Sequence, residues 1–313
     1  MNTRHLLVAG SANLDFVVRA AHVPAPGETV LGRDFATFPG GKGANQAVAC
    51  AKAGGAPTRM LLALGDDAFA APLEASLREA GVSPLIVRTP ERPTGTAFIC
   101  LSDDAENAIT VAPGANDALT PADLPPLDAV SHLLLQLETP LEAVTAWAVA
   151  ARAAGVKVLL NAAPARELPA TLLDAVDLLI VNEGELALLS GESADVAAGL
   201  ARLTVPGVVV TLGARGCVAR IDGELHLQPA FAVQAVDTTA AGDTFCGSLA
   251  ARLAQGDGIG DALRYAGAAS AIACTRLGAQ SSIPTRREVE AFLRAAPPAS
   301  AQAQQALANH CGL

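Results

Sequence analysis

The stretch Val236-Asp237-Thr238-Thr239-Ala240-Ala241-Gly242-Asp243-Thr244-Phe245-Cys246-Gly247 sets one carboxylate, Asp243, at the start of an apolar helical pattern, directly after small residues. A helix start presents unpaired N–H groups and a partial positive charge, so it attracts phosphate or another developing anion. Ala240, Ala241 and Gly242 let the backbone approach a ligand closely. A carboxylate at that point is placed to take a proton from an attacking hydroxyl. An anion cradle beside a general base is what phosphoryl transfer to an alcohol requires. The same aspartate would serve equally well as a plain helix cap, for which Asp is a preferred residue.

A second glycine-rich helix entry is Gly40-Gly41-Lys42-Gly43-Ala44-Asn45. It is not a Walker phosphate loop, because Gly43 stands where Ser or Thr should follow the lysine. Its backbone could close on a small ligand while Lys42 and Asn45 donate to hydroxyl or phosphate oxygens. The plainer alternative is a strand-to-helix turn with a solvated lysine. Four further polar groups follow apolar runs. They are Asn13-Leu14-Asp15, Glu138, Asn182 with Glu185, and Thr211-Leu212-Gly213-Ala214-Arg215-Gly216. Each could be a cap or a turn. Ligands of open α/β sheets bind at the carboxyl ends of strands, so four such groups on one edge point to a shared cleft.

Other chemistries find no support in the residues. The five histidines show no metal-ligand spacing, and there is no nucleophile-elbow or protein-kinase catalytic-loop motif. The six cysteines are scattered without a C-x-x-C pair, which suggests neither a zinc site nor a disulfide framework. In the 313-residue chain, 51% of residues are hydrophobic and 17% charged, enough for a sizeable core, and the net charge is −10. Without clustered Lys and Arg, nucleic acid is not expected as a partner. The N-terminal apolar run is too short for a signal peptide, and no segment has membrane-spanning character. The expected location is the cytoplasm.

Several elements must position these groups. Leu6–Ala9, Met60–Leu64, Leu133–Leu137, Val156–Leu160, Leu178–Val181 and Val208–Thr211 read as short buried strands. Helical patterns separate them, at about 44–53, 67–80, 141–154, 168–175 and 183–189, and three more follow at 243–254, 261–275 and 286–295. Such alternation predicts an α/β fold, a mostly parallel sheet covered on both faces. Two β-rich interruptions break the alternation and are expected to pair as a small sheet covering the cleft. The expected organisation is a main domain of 1–14, 39–93 and 113–295, a β lid of 15–38 and 94–112, and a disordered tail of 296–313.

The chain resembles the ribokinase-like (PfkB) family of carbohydrate kinases over about residues 4–295. Gly40-Gly41-Lys42-Gly43-Ala44-Asn45-Gln46-Ala47 is similar to the family's first signature, and Asp237–Phe245 to its second. Further details resemble the ribose-phosphorylating branch. They are Asn13 with Asp15, Gln136-Leu137-Glu138, Asn161–Arg166 and Thr275–Gln280. The resemblance implies a three-layer α/β/α sandwich with a small β-sheet lid, and transfer of the ATP γ-phosphate to O5 of D-ribose. Asp243 would be the base, with Ala240, Ala241, Gly242 and Asp243 forming an anion hole. Asn13, Asp15, Gly41, Lys42, Asn45 and Glu138 would hold the sugar. Thr211, Gly213, Arg215, Gly216 and Gly242 would hold the nucleotide, Gly267 would lie beside its adenine, and Asn182 with Glu185 would organise Mg²⁺ and phosphate. A K⁺ site would use Asp237, Thr239, Ala273, Arg276, Gly278 and Ser282. The resemblance also implies a homodimer formed through the lid. A sister sugar or nucleoside kinase and a non-catalytic sugar-binding regulator are the alternatives. The regulator is disfavoured because Asp243 and the Gly242 turn are present and no DNA-binding module is visible.

Overall fold

Runs such as Leu6–Ala9, Leu133–Leu135 and Val208–Val210 are apolar without alternation, the pattern of strands covered on both faces. All of these residues are buried. The computed structural model describes residues 4–102, 107–192 and 195–313. Of the expected domain segments, 1–3, 103–106 and 193–194 lie outside the described residues. In chain order the strands are β1 His5–Ala9, β2 Asn13–Ala20, β3 Arg33–Gly40, β4 Thr58–Leu64, β5 Val82–Arg88, β6 Thr96–Ser102, β7 Asn107–Ala112, β8 Val130–Leu135, β9 Lys157–Asn161, β10 Leu178–Asn182, β11 Gly207–Thr211, β12 Gly216–Ile221 and β13 Glu224–Pro229. The helices are α1 Lys42–Val48, α2 Ala70–Glu79, α3 Leu141–Ala153, α4 Ala170–Leu173, α5 Glu183–Ser190, α6 Val196–Arg202, α7 Ala241–Ala254, α8 Ile259–Cys274, α9 Arg286–Ala295 and α10 Ala301–Cys311.

The larger sheet runs β13-β12-β11-β10-β9-β8-β1-β4-β5. From β11 to β5 every pairing is parallel, and the hairpin β12–β13 closes one edge antiparallel. One face is covered by an apolar layer that includes Phe245, Leu249 and Leu263, and the other by one that includes Trp147, Leu172 and Leu200. The chain is thus a three-layer α/β/α sandwich. The smaller sheet runs β3-β2-β6-β7, two antiparallel hairpins joined through parallel β2 and β6. Its strands extend beyond the expected segment, because Asn13 and Gly40 already pair across β2 and β3. β2 therefore leaves the end of β1 as the wall of the cleft and continues outward as the spine of the small sheet.

The expected disorder of 296–313 is corrected by the structure. Ser300 accepts the Ala303 N–H at 3.1 Å and so caps α10. Leu307 and Cys311, four residues apart on one face, are buried, and α10 packs against β13. The Ala- and Gln-rich composition that reads as a loose tail is also a composition of good helix formers. The short helix α6, capped by Asp195, is a further element beyond the expected helices. No helix among the described residues is long and apolar enough to cross a membrane.

Candidate active site

The start of α7 is made by an unusual backbone step. Ala240 adopts a left-handed conformation with φ 57° and no side chain caps the helix. For a residue with a Cβ that conformation costs about 1–2 kcal/mol. The Ala241 N–H donates to Thr238 O at 3.1 Å, and the Thr244 N–H to Ala240 O at 2.8 Å. That leaves Gly242 and Asp243 as first-turn donors without a helical partner. Gly242 faces open space, so an anion can reach these donors.

Asp243 itself is buried. Asn45 Nδ2 donates to its Oδ2 at 2.9 Å, and Gln46 Nε2 to its Oδ1 at 2.9 Å. Both donors come from α1, whose entry at Gly41 has φ 87°. α1 and α7 touch closely because residue 247 is glycine, since a Cβ there would run into the backbone of Gln46 and Cys50.

One chamber, of about 570 Å³, lies between Asp243 and the small sheet. Asn13 and Asp15 alternate along β2 and so face the same side, and both line this chamber with Lys42, Asn45 and Glu138. Asn116 donates to Asn13 Oδ1 at 2.8 Å. A Cβ on Gly40 would collide with the Asp15 carboxylate, so the glycine leaves room for it. Glu138 Oε2 accepts from Ser11 Oγ at 2.6 Å and from the Lys42 N–H at 3.0 Å. Burial, then the charges of Glu138 and Asp243, raise the Asp15 carboxyl to about 7. Burial pulls the Lys42 ammonium down, but Asp243, Glu138 and Glu185 outweigh it and hold the group above its ordinary value.

A second chamber, of about 250 Å³, shares Lys42, Thr238, Ala240 and Asp243 with the first and adds Asn182, Glu185, Thr211 and Gly242. Asn182 and Glu185 cap α5 reciprocally. Asn182 Oδ1 accepts the Glu185 N–H and Glu185 Oε2 accepts the Asn182 N–H, both at 2.8 Å. The expected pair is therefore a capping box and a chamber wall at once. Burial raises the Glu185 carboxyl against the pull of the Asn182 N–H and of Lys42. Beyond Thr211, Gly213 and Gly216 have φ 56° and 114°, and Arg215 pairs with Glu183 at 2.8 Å. His310 of α10 meets the other Glu183 oxygen at 3.0 Å. Gly267 lines neither chamber and faces Phe231 and Gln228.

Asp237 Oδ1 accepts from Thr239 N at 2.8 Å and Thr239 Oγ1 at 2.6 Å, and its Oδ2 from Gly278 N at 2.9 Å. Burial works against the carboxylate, but these donors hold it below its ordinary value. Ala273 O accepts the Arg276 N–H at 3.1 Å, and Ser282 is buried. Among the described residues, no three His, Cys, Asp or Glu side chains group as a metal site.

The structure thus gathers Asn13, Asp15, Gly41, Lys42, Asn45, Glu138 and Asp243 in one chamber, and Asn182, Glu185, Thr211 and Gly242 in its neighbour. Sequence reasoning gave no role to Gln46, Gln136, Asn161 or Asn116, which are buried around the site. The available signal was an amide inside or directly after an apolar run, where a polar group needs a partner.

Residues 3–286 match the model of the pfkB family carbohydrate kinases. A ribokinase of Haemophilus influenzae is 39% identical over 300 residues, spanning 92% of this chain and 98% of the relative. A ribokinase of Lactococcus lactis is 40% identical over 292 residues, spanning 92% and 96%. The structure of Arabidopsis thaliana ribokinase complexed with ribose and ATP superposes with a TM-score of 0.86 at 34% identity, covering 94% of this chain and all of that one (100%). The chain belongs to the pfkB family of carbohydrate kinases.

Proposed function

We propose that this pfkB carbohydrate kinase transfers the γ-phosphoryl group of ATP to O5 of D-ribose, giving D-ribose 5-phosphate. The observation that carries the reading is two chambers, one lined by hydroxyl-binding side chains, meeting at Asp243 and the uncapped start of α7. Carboxylates and amides pair with several adjacent hydroxyls, and a site so built rejects a sugar that lacks one. The related ribokinases, one solved with ribose and ATP, support ribose as the sugar.

In this reading Asn13, Asp15, Gly41, Lys42, Asn45 and Glu138 hold the sugar with its 5-hydroxyl at Asp243. Asp243 takes the hydroxyl proton as the oxygen attacks the γ-phosphorus in line, and the bond to the bridging oxygen of ADP breaks. The N–H groups of Gly242 and Asp243 stabilise the transferring oxygens, joined by Ala240 and by Ala241 once it releases Thr238 O. Lys42, on the shared wall, sets a positive charge between the chambers. Thr211, Gly213, Arg215 and Gly216 hold the phosphates with Asn182, and Gly267 borders the adenine. Asn182 and Glu185 would hold Mg²⁺ together with the phosphates, and the ion would neutralise developing charge there. A K⁺ ion suits the oxygen donors offered by Asp237, Thr239, Ala273, Arg276, Gly278 and Ser282, with Asp237 kept ionised to balance it. Exchange of K⁺ for Na⁺ should lower turnover, and indifference would remove this site.

The small sheet acts as a lid through which two copies pair. Its Ile109 and Val111 are exposed apolar side chains facing the cleft, and sedimentation of Ile109→Asp as a monomer would support that pairing. A cytoplasmic location suits the six free thiols. The test of the function is ADP release from MgATP with K⁺, comparing D-ribose with 2-deoxyribose, fructose and adenosine. Ribose-dependent release well above the others supports the proposal. Release with another acceptor moves the substrate, and none with any acceptor overturns the kinase reading.

A further inference from the structure

Gln46 is fully buried and borders neither chamber, yet it touches the proposed base. Its Nε2 donates to Asp243 Oδ1 at 2.9 Å and to Asn161 Oδ1 at 3.0 Å, and its Oε1 accepts from Gln136 Nε2 at 2.7 Å. Asn161 Nδ2 in turn donates to the main-chain Ile180 O at 3.2 Å. A main-chain carbonyl can only accept. It therefore fixes which way the Asn161 amide points, and Asn161 Oδ1 then requires the NH₂ of Gln46 on its side. The NH₂ of Gln46 is thus presented to Asp243 by a chain of amides that starts at the backbone of β10. Gly10 leaves the space for the far end of this chain, since a Cβ there would run into Gln136 Oε1.

We infer that Gln46 is a positioning residue that occupies Asp243 Oδ1 on the core side and leaves Oδ2, on the cleft side beside Asn45, as the oxygen that accepts the substrate proton. The inference rests on Asp243 acting as the base. Gln46 lies in the interior, whereas Asn45, the partner of Oδ2, lines the sugar chamber. Two fixed donors on one carboxylate prevent its rotation, and misorientation of a catalytic group lowers turnover without weakening substrate binding. A hydrogen bond to the ionised form also favours that form. The other charged or titratable groups facing Asp243 are Lys42 from α1, Asp15 from β2 and Cys246 from its own helix. Glu138 and Glu185 face Lys42.

The experiment is steady-state kinetics of Gln46→Leu and Gln46→Glu against the parent and Asp243→Asn, with both KM values and the pH profile of kcat under saturating sugar. Saturating sugar favours the ionised Asp15, so its titration moves below the value of about 7 that it has without sugar. For Gln46→Leu we expect kcat to fall about 10- to 100-fold, with both KM values within about twofold and the acidic limb of kcat moved to higher pH. Gln46→Glu, which keeps the shape but adds an acid next to the base, should move that limb further. Should Gln46→Leu not fold, Gln46→Glu and Gln136→Met read the same limb. An unchanged kcat and limb in the folded variants would overturn the inference. A fall in kcat matched by rises in both KM values and by a lowered melting temperature would reduce Gln46 to a packing role. Turnover retained by Asp243→Asn would instead remove the base reading itself.

Discussion

Asn13 and Asn45 are buried and tied to Asn116 and Asp243, with Asp15 buried beside them, whereas Gly213, Ala214 and Arg215 at the other end of the cleft stand exposed. The sugar side offers side chains whose positions are set by a packed surround, down to the glycine at 40 that makes room for Asp15. The nucleotide side offers mainly backbone, in left-handed turns at Gly213 and Gly216 and in the first turn of α7. The sugar side can therefore discriminate by shape and donor pattern at little ordering cost. The proposed nucleotide side would recognise phosphate, which any aligned N–H groups can hold.

Asp243 stands where the two sides meet, so its loss should show the largest effect. Asp243→Asn should lower kcat by about 10²- to 10⁴-fold, the range of a general base, while ATP binding by calorimetry stays near the parent value. Near-normal turnover would leave the junction without a base. Glu138→Ala tests the sugar side alone. It frees the Ser11 hydroxyl and the Lys42 N–H inside the wall. The KM for sugar should rise about 10-fold or more, the scale of a lost charge-assisted hydrogen bond, with the KM for ATP nearly unchanged. Equal losses on both substrates would erase the distinction between the two sides.

A third test uses pH. The Asp15 carboxyl is raised to about 7, so the folded chain holds its proton more tightly than the unfolded chain does. The stability this adds is full below the ordinary carboxylate value and is lost as pH rises toward about 7. In the proposed site sugar hydroxyls would donate to the ionised form, so sugar affinity should strengthen as pH rises through the same range, by up to about tenfold per unit. Calorimetry in two buffers of different ionisation enthalpy should then show proton release on sugar binding. Asp15→Asn should abolish both trends, and a persisting trend would assign it to another group. The smallest effect belongs to the exposed side. His310→Ala loosens Glu183 and with it Arg215. Surface pairs contribute about 0–1 kcal/mol, so the KM for ATP should rise less than about fivefold and the KM for sugar not at all.

The same contrast explains what could be read before folding. Asp15, Lys42, Asn45, Glu138 and Asp243, which line one chamber, are charges and amides at strand ends and helix entries, and residue type together with pattern marks such positions. The alternation of apolar strands and helices fixed the layers for the same reason, since buried parallel strands leave continuous apolar runs. Gln46, Gln136 and Asn161 were not legible as a unit, because an amide in an apolar run announces a need for a partner but not which partner. Asn182 and Glu185 carry two readings, cap and site; the structure shows the capping box and places both residues on a chamber wall. The nucleotide loop is legible mainly as turns, because main-chain donors have no side-chain signature. α10 is not legible because what it packs on is distant in sequence, β13 as a whole and Cys217 of β12 near Cys311.

β13 is the last strand of its sheet, and the segment after α9 passes beside its end, with α10 packed along it. An uncovered edge strand offers unpaired backbone groups to any other strand it meets. The segment that lies against this one follows it in the chain, so the strand leaves the ribosome before its cover does. A chain cut short after Ala295 would keep every residue of both chambers. Its damage would appear as aggregation during purification, before any loss in an activity assay.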